Sequence, residues 1–286
     1  MLHKALKIAA VGALALGASV TGALAGSVTQ PGERVGLAAG APLPEGVYFV
    51  NTLDWGVRKQ PGHDVSVGVD IPVIAWSTPW QIAGARVQVL VATPLIHASV
   101  ENGPNNYGFY NPFAALQLAW DLGGGLGFSY YAGAYFNIGD KDVRFRSTSF
   151  NHAAAISYTA DGWNLTANLI NGIHIDESKG YDYPDFFNLD VTATKTFGKW
   201  EFGLAAFGST DYNVPRSLKN VGYDKQRQIA LGPLVGYNFG PVILQAYLTR
   251  DVYQRNYGGK DTRLFTRIII PLYTPEAPMT PLVTKY

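Results

Sequence analysis

The stretch Ala153–Asp211, AAAISYTADGWNLTANLINGIHIDESKGYDYPDFFNLDVTATKTFGKWEFGLAAFGSTD, decides the fold class. It holds four runs of period-two alternation, joined by a short turn, a long loop and a second short turn. In the second run Trp163, Leu165, Ala167 and Leu169 share one parity, and Asn164, Thr166 and Asn168 take the other. In the third, Leu189, Val191 and Ala193 alternate with Asn188, Asp190, Thr192 and Thr194. In the fourth, Trp200, Phe202, Leu204 and Ala206 alternate with Glu201, Gly203, Ala205 and Phe207. Successive side chains of a strand point to opposite faces, so each run reads as a strand with one apolar face and one small or polar face. A single such hairpin would also suit a soluble sandwich. Extended along the chain, the pattern predicts an all-β, up-and-down antiparallel transmembrane β-barrel, apolar toward lipid and polar toward the lumen.

The ends and the composition agree with export to a membrane. Lys4 and Lys7, the apolar run Ile8–Val20 and the small-residue site Ala23-Leu24-Ala25 predict a signal peptide over residues 1–25. That run is shorter than the ~20 residues of a spanning helix. Charged residues make up 15% of the chain, against the ~25% of soluble domains. A net charge of +1 argues against nucleic acid as a partner. The chain has no cysteine, which excludes disulfides and cysteine metal sites. Gly26–Glu45 (GSVTQPGERVGLAAGAPLPE) has no strand period and reads either as a flexible lead or as a plug inside the barrel. The barrel is expected over 46–273 as one domain, and the proline-rich tail Thr274–Tyr286 as a disordered periplasmic end.

Twelve strands are expected. They are Gly46–Trp55, Asp64–Ala75, Ile82–Leu95, Phe113–Asp121 and Leu126–Asn137, then the four of the opening stretch, then Gln228–Asn238, Val242–Arg250 and Arg263–Tyr273. In the second, Val65, Val67, Val69, Ile71 and Val73 form the apolar face; in the third, Ala83, Ala85, Val87, Val89 and Val91 do. The first link holds Arg58 and Lys59, Trp76, Pro79 and Trp80 form a turn, and Ser99–Pro112 forms a long loop. Links after strands 4, 6, 8 and 10 are short, the one after strand 2 is moderate, and links after odd strands are longer and more charged, the topology of outer-membrane barrels with periplasmic turns. An even strand number returns both ends to the periplasm. Trp76, Trp80, Trp120, Trp163 and Trp200 flank the short links as an interfacial girdle, while Tyr107, Tyr110, Tyr181 and Tyr183 sit in long loops as mouth aromatics. The ending RLFTRIIIPLY resembles the signal read by the barrel-insertion machinery. That machinery and outer-membrane lipid are therefore expected partners, and the bacterial outer membrane the expected location.

Three segments carry a family resemblance: GAPLPEGVYF (Gly40–Phe49), the hairpin YTADGWNLTAN, and GPLVGYNF with the IIIPL terminal strand. Together they resemble the outer-membrane proteins assigned to the meta-cleavage pathway of phenol degradation. The resemblance implies an outer-membrane barrel that passes small hydrophobic solutes, aromatic compounds among them, and it brings no catalytic residues.

Nothing in the pattern calls for a cofactor, a metal or an enzyme activity. His63, His97, His152 and His174 show no metal-pair spacing. Ser149, Asn151 and His152 lie close, but adjacent strand residues face opposite ways, which separates His152 from the other two. The polar parity is more informative. Asp70, Arg86, Gln88, Gln117, Asp121, Asn168, Asn188, Asp190, Glu201, Gln245, Arg263 and Arg267 all fall opposite the apolar face as candidate lumen residues. A cation on the lipid side near midplane would cost ~2–4 kcal/mol. Inside, these groups either pair with one another and knit the interior or line a selective channel. The leading function is passive outer-membrane transport of small hydrophobic compounds. The alternatives are a general porin for small polar solutes and a non-transport barrel that binds partners through its extracellular loops.

Overall fold

The computed structural model describes residues 26–60, 62–177 and 181–275. The expected signal peptide, and the tail beyond its first two residues, lie outside them. Alternation builds fourteen strand segments: β1 (Gly46–Gln60), β2 (His63–Ile82), β3 (Ala85–Ala92), β4 (Leu95–Val100), β5 (Asn105–Phe109), β6 (Phe113–Gly123), β7 (Leu126–Tyr135), β8 (Ser147–Tyr158), β9 (Trp163–Glu177), β10 (Asp185–Phe197), β11 (Trp200–Tyr212), β12 (Arg227–Asn238), β13 (Ile243–Arg255) and β14 (Asp261–Tyr273). Each pairs antiparallel with its neighbours, and β1 pairs with both β2 and β14. The sheet is therefore closed, which a lipid-buried sheet requires because an open edge would leave backbone groups unpaired.

β2 pairs with β3 through its second half and with β4 through its first, and β4 pairs with β5 as β3 pairs with β6. Thus β3 and β4 form one interrupted strand, and β5 and β6 another, giving a ring of twelve. Prolines make the interruptions, since proline donates no ladder hydrogen bond. Across them the chain keeps single bonds: Thr93 N–H to the Pro72 carbonyl at 3.3 Å, Tyr110 N–H to Pro94 at 2.8 Å and Phe136 N–H to Pro112 at 2.9 Å.

Several expected boundaries move. Trp76, Pro79 and Trp80 lie within β2, whose register to β3 shifts between Ser77 and Gln81. The turn is at Ala83 and Gly84, with φ of 50° and 77°, a two-residue hairpin geometry whose twist matches the strands. Residues 99–112, expected as a long loop, hold the end of β4 and all of β5. The first extracellular link is not long either, because β1 and β2 pair out to Gln60 and His63. Arg58 and Lys59 belong to β1, with Arg58 turned inward to Asp261 at 3.6 Å. Charge and turn-forming residues do not end a strand whose polar side chains have partners across the lumen. The remaining extracellular links are 136–146, 178–184, 213–226 and 256–260; the third carries helix α1 (Arg216–Asn220).

Residues 26–45 lie inside this ring. Gly26 meets Asp211 at the extracellular end of β11, and Gly40 meets Ser157 near the periplasmic end of β8. Four turns, closed by N–H to carbonyl bonds from Glu33 to Gln30, Val35 to Gly32, Leu37 to Arg34 and Ala41 to Ala38, carry the segment down the lumen to β1.

Candidate functional site: the filled lumen

Antiparallel partners share a face, so the register assigns every wall residue to the lumen or to lipid. From β9 to β11 the register runs Asn168–Asp190–Phe207 on the inside and Leu169–Leu189–Gly208 on the outside. The expected parity holds there. The inner residues of β8 to β14 include a polar set that binds the backbone of residues 26–45, beside a small apolar cluster of Ala205, Phe207, Ala230, Leu234 and Phe265 around Val35. Asp190 accepts the N–H groups of Gly32 and Arg34 at 2.9 and 3.0 Å. Thr192 accepts that of Gly36 at 2.7 Å, and Ser157 that of Gly40 at 2.8 Å. Tyr247 donates its hydroxyl to the Gly32 carbonyl at 2.8 Å. Asn164 and Gln245 both donate to the Gly36 carbonyl at 3.0 Å. Higher up, Asn188 donates to the Ser27 hydroxyl and the Thr29 carbonyl, and Asn151 to the Thr29 hydroxyl. Gly32 is required where it stands: its φ is +88°, and a Cβ there would lie 2.6 Å from the Phe207 ring.

Arg267 is the centre of this wall. It donates to Thr52 Oγ1 at 2.9 Å, Gln245 Oε1 at 3.1 Å and the Tyr247 hydroxyl at 3.2 Å, and it also reaches the carbonyls of Glu33 and Val35. Glu201 accepts from Thr194 at 2.5 Å and Gln245 at 2.8 Å. Nearer the outside, Arg263 pairs with Asp54, and with Asp261 at 3.0 Å. Gly56 makes room for that guanidinium, since a Cβ at that position would lie 2.4 Å from it. Above this cluster the ring of Tyr257 lies under Arg58, 4.8 Å from its guanidinium carbon, and burial pushes the Tyr257 phenol well above its ordinary range.

The opposite wall is different. Val65, Val67, Val69 and Ile71 of β2 point inward and form one apolar cluster with Ile96, Ala98, Tyr110, Phe113, Tyr131 and Tyr135, and Val28 of the inner segment joins it. This corrects the expected facing of β2. Leu53, half exposed on the outer surface, pairs with Asp70. Asp70 is therefore on the outer face and is not a lumen residue. The physical reason is that β2 meets an apolar filling, so its more apolar face turns inward. A cavity of about 10 Å³ remains between the segment and this wall, bounded by Val28, Glu33, Val69, Ile71, Pro94 and Tyr135 among others.

The other expected lumen residues, Arg86, Gln88, Gln117, Asp190, Glu201, Arg263 and Arg267, share the inner parity. Gln117 donates to Gln88 at 2.8 Å, and Arg86 faces Glu45 at 3.7 Å by the periplasmic exit. Each of the seven is engaged by the wall or the segment rather than standing free along a pore. Asp121 instead caps its turn, accepting the Gly123 N–H at 2.9 Å. Of the mouth aromatics, Tyr110 donates to the Val28 carbonyl at 3.1 Å and packs on Phe145, which also meets Tyr183 at 4.7 Å. Tyr181 lies under Arg146 at 4.4 Å. Tyr107 pairs with His97, which packs against the outward Trp55, so Tyr107 faces away from the mouth. The tryptophans sit outside near the periplasmic turns: Trp76 against Trp80, Trp120 donating to the Ala83 carbonyl at 3.0 Å, Trp163 under Lys195, and Trp200 against Tyr237.

Ser149 and Asn151 meet inside at 2.9 Å, whereas His152 is outside with Tyr130 and Asn171. No Ser–His–amide arrangement forms at that place. Asn151, Ser157, Thr192, Asp211 and Tyr247 were not singled out from the sequence as lumen candidates. The first four carry the same polar-parity signal as Asp190. Tyr247 carries none, because tyrosine suits a lipid interface as well as an interior.

A family model described as "Putative MetA-pathway of phenol degradation" matches residues 34–268. The COG4313 outer membrane channel from Pseudomonas putida F1 superposes with a TM-score of 0.67 at 12% identity, covering 81% of this chain and 97% of that one. The beta domain of the Bordetella autotransporter Brka gives 0.47 at 10% identity over 80% and 100% of the two chains. The CymD monoaromatic hydrocarbon channel gives 0.45 at 9% identity over 82% and 90%. No curated protein sequence matches. At these identities the first likeness bears on the fold, a barrel of the outer-membrane type.

Proposed function

The chain belongs to the family that this description names, and from that premise we propose that small hydrophobic solutes, aromatic ones among them, cross the outer membrane passively along the apolar wall of its lumen. The observation that carries this reading is the one-sidedness of the interior. The polar wall is committed to residues 26–45, while Val69, Ile71 and Ile96 offer no hydrogen bond to a polar solute's hydration shell and, with the ring faces of Tyr131 and Tyr135, a suitable surface to an aromatic ring. Residues 26–45 act as a plug: small displacements of the segment widen the gap beside the apolar wall without a continuous water column. A general porin for polar solutes would need its lumen polar groups free, and here Asp190, Thr192, Ser157, Gln245 and Arg267 are bonded to the inner segment. The barrel-insertion machinery and outer-membrane lipid are the partners that assembly and residence in this membrane require.

The test joins two measurements on the chain from Gly26. In a planar bilayer it is expected to show no steady ohmic steps. Cells that express it are expected to take up phenol faster than cells that lack it. Steady open-pore conductance would move the assignment to a porin, and unchanged phenol uptake would remove the transport reading.

A further inference from the structure

The extracellular rim carries a cation cluster for which the lumen has no use. Arg227 of β12 and Arg255 of β13 stand directly opposite one another. They are on the outer face, since the adjacent Gln228 is buried inside while both arginines are exposed. Like charges directly opposite on a sheet repel. Among the described residues, neither guanidinium has a carboxylate within ion-pair distance or a hydrogen-bond acceptor. Lys219 of α1 and Lys225 join them around a cleft of about 300 Å³, completed by Val214, Tyr223 and Asp224. Four cations thus line the cleft with one carboxylate, Asp224, and the buried Asp211 lies behind Tyr223. Immediately below, toward the membrane, Ile229 pairs with Tyr253, and both are exposed, as is Leu231 on the same face.

The ligand that fits this arrangement carries concentrated negative charge in the cleft and an apolar body beside the wall. Paired arginines match phosphate oxygens better than a single carboxylate, because each guanidinium can offer two donors. We propose that the cleft binds the phosphate of a phosphorylated, acylated glycolipid of the outer leaflet, with its acyl chains along Ile229, Leu231 and Tyr253. The bound phosphate would also relieve the repulsion between Arg227 and Arg255. This inference does not depend on what passes through the lumen.

The test is native mass spectrometry of the folded chain in detergent, titrated with lipid A bearing both phosphates. The parallel arms use the same lipid without phosphates, and inorganic phosphate as competitor. The Arg227→Ser/Arg255→Ser double variant is expected to bind lipid A about a hundredfold more weakly, the loss of one charge-assisted bond from each guanidinium. Lys199→Ser, at the periplasmic turn between β10 and β11, is expected to leave binding unchanged. Removing the lipid's phosphates should weaken binding as much as the double variant does, and millimolar inorganic phosphate should not displace lipid A. Wild-type affinity in the double variant, equal binding of the phosphate-free lipid, or displacement by inorganic phosphate would each overturn the proposal. Should the double variant not give a folded, heat-modifiable band, Lys219→Gln/Lys225→Gln reads the same site from exposed side chains.

Discussion

From β8 to β14 the inner wall meets residues 26–45 mainly with hydrogen bonds, and with a small apolar cluster around Val35; from β2 to β7 it meets them mainly with apolar surface. Asp190, Arg267 and Tyr247 each hold a backbone group of the segment, whereas Val69, Ile71 and Ile96 hold none. A hydrogen bond is directional and costly to leave unmade, so the polar wall fixes where the segment sits. Apolar contact is non-directional and yields to whatever apolar body replaces it. One wall therefore acts as an anchor and the other as a surface along which a solute can slip. A lumen residue's role follows from the wall it belongs to.

The largest expected effect tests the anchor. Arg267→Ala strips the Glu33 and Val35 carbonyls of a charged donor and leaves Gln245 and Tyr247 without it. A loss of about 3 kcal/mol is expected. It should appear as a lower urea midpoint for the heat-modifiable band, together with the onset of ohmic steps in a bilayer. An unchanged midpoint with a silent barrel would break the comparison, because the segment would then be held by something other than the polar wall.

A smaller effect tests the surface. Val69→Thr keeps the shape and buries a hydroxyl on the apolar side, which costs about 1 kcal/mol. Phenol uptake is expected to fall while the bilayer stays silent. If instead Val69→Thr opened the barrel and Arg267→Ala slowed phenol, the two walls would have to exchange roles.

The smallest effect concerns a residue on neither wall. Asp70 faces outward opposite Leu53 and is half-buried there, with Oδ1 lacking a hydrogen-bond partner among the described residues. Asp70→Ala is expected to stabilise the barrel by about 0.5 kcal/mol, since an acidic group costs less than a cation at membrane depth. The urea midpoint should rise slightly and phenol uptake should not change. A change in uptake would show that the outer face of β2 takes part in the route.

Particular residues show why reading the sequence succeeded unevenly. Leu189 and Asp190 sit on strongly contrasting faces, and the register places them as alternation demands. In β2 the contrast is also strong, but it is inverted: Ser66, Gly68, Asp70 and Pro72 face outward and Val65, Val67, Val69 and Ile71 face inward. Alternation tells two faces apart without saying which is lipid, and the more apolar face was assigned to lipid by rule. The assignment failed where the lumen itself is apolar. The segment 99–112 was hidden for a related reason. Its glycine, asparagine and proline residues read as a loop, yet β4 and β5 pair because each continues a hairpin already in register. The destination of residues 26–45 had no local signal at all, because a segment bound through its backbone needs no side-chain pattern.

The sequence alone determined an all-β barrel of twelve strands, its periplasmic turns after the first, the tryptophan girdle beside them and the inner parity from β8 to β14. Each of these follows from short-range alternation, turn chemistry or the cost of charge in lipid, all of which act over a few residues. Tertiary structure alone decided which face of β2 lines the lumen, that Asp70 lies outside, and that Asp190 and Arg267 hold a chain segment rather than line an open pore. Those outcomes depend on what fills the barrel, and the filling is a segment outside each strand's own neighbourhood, 156 to 234 positions from Asp190 and Arg267.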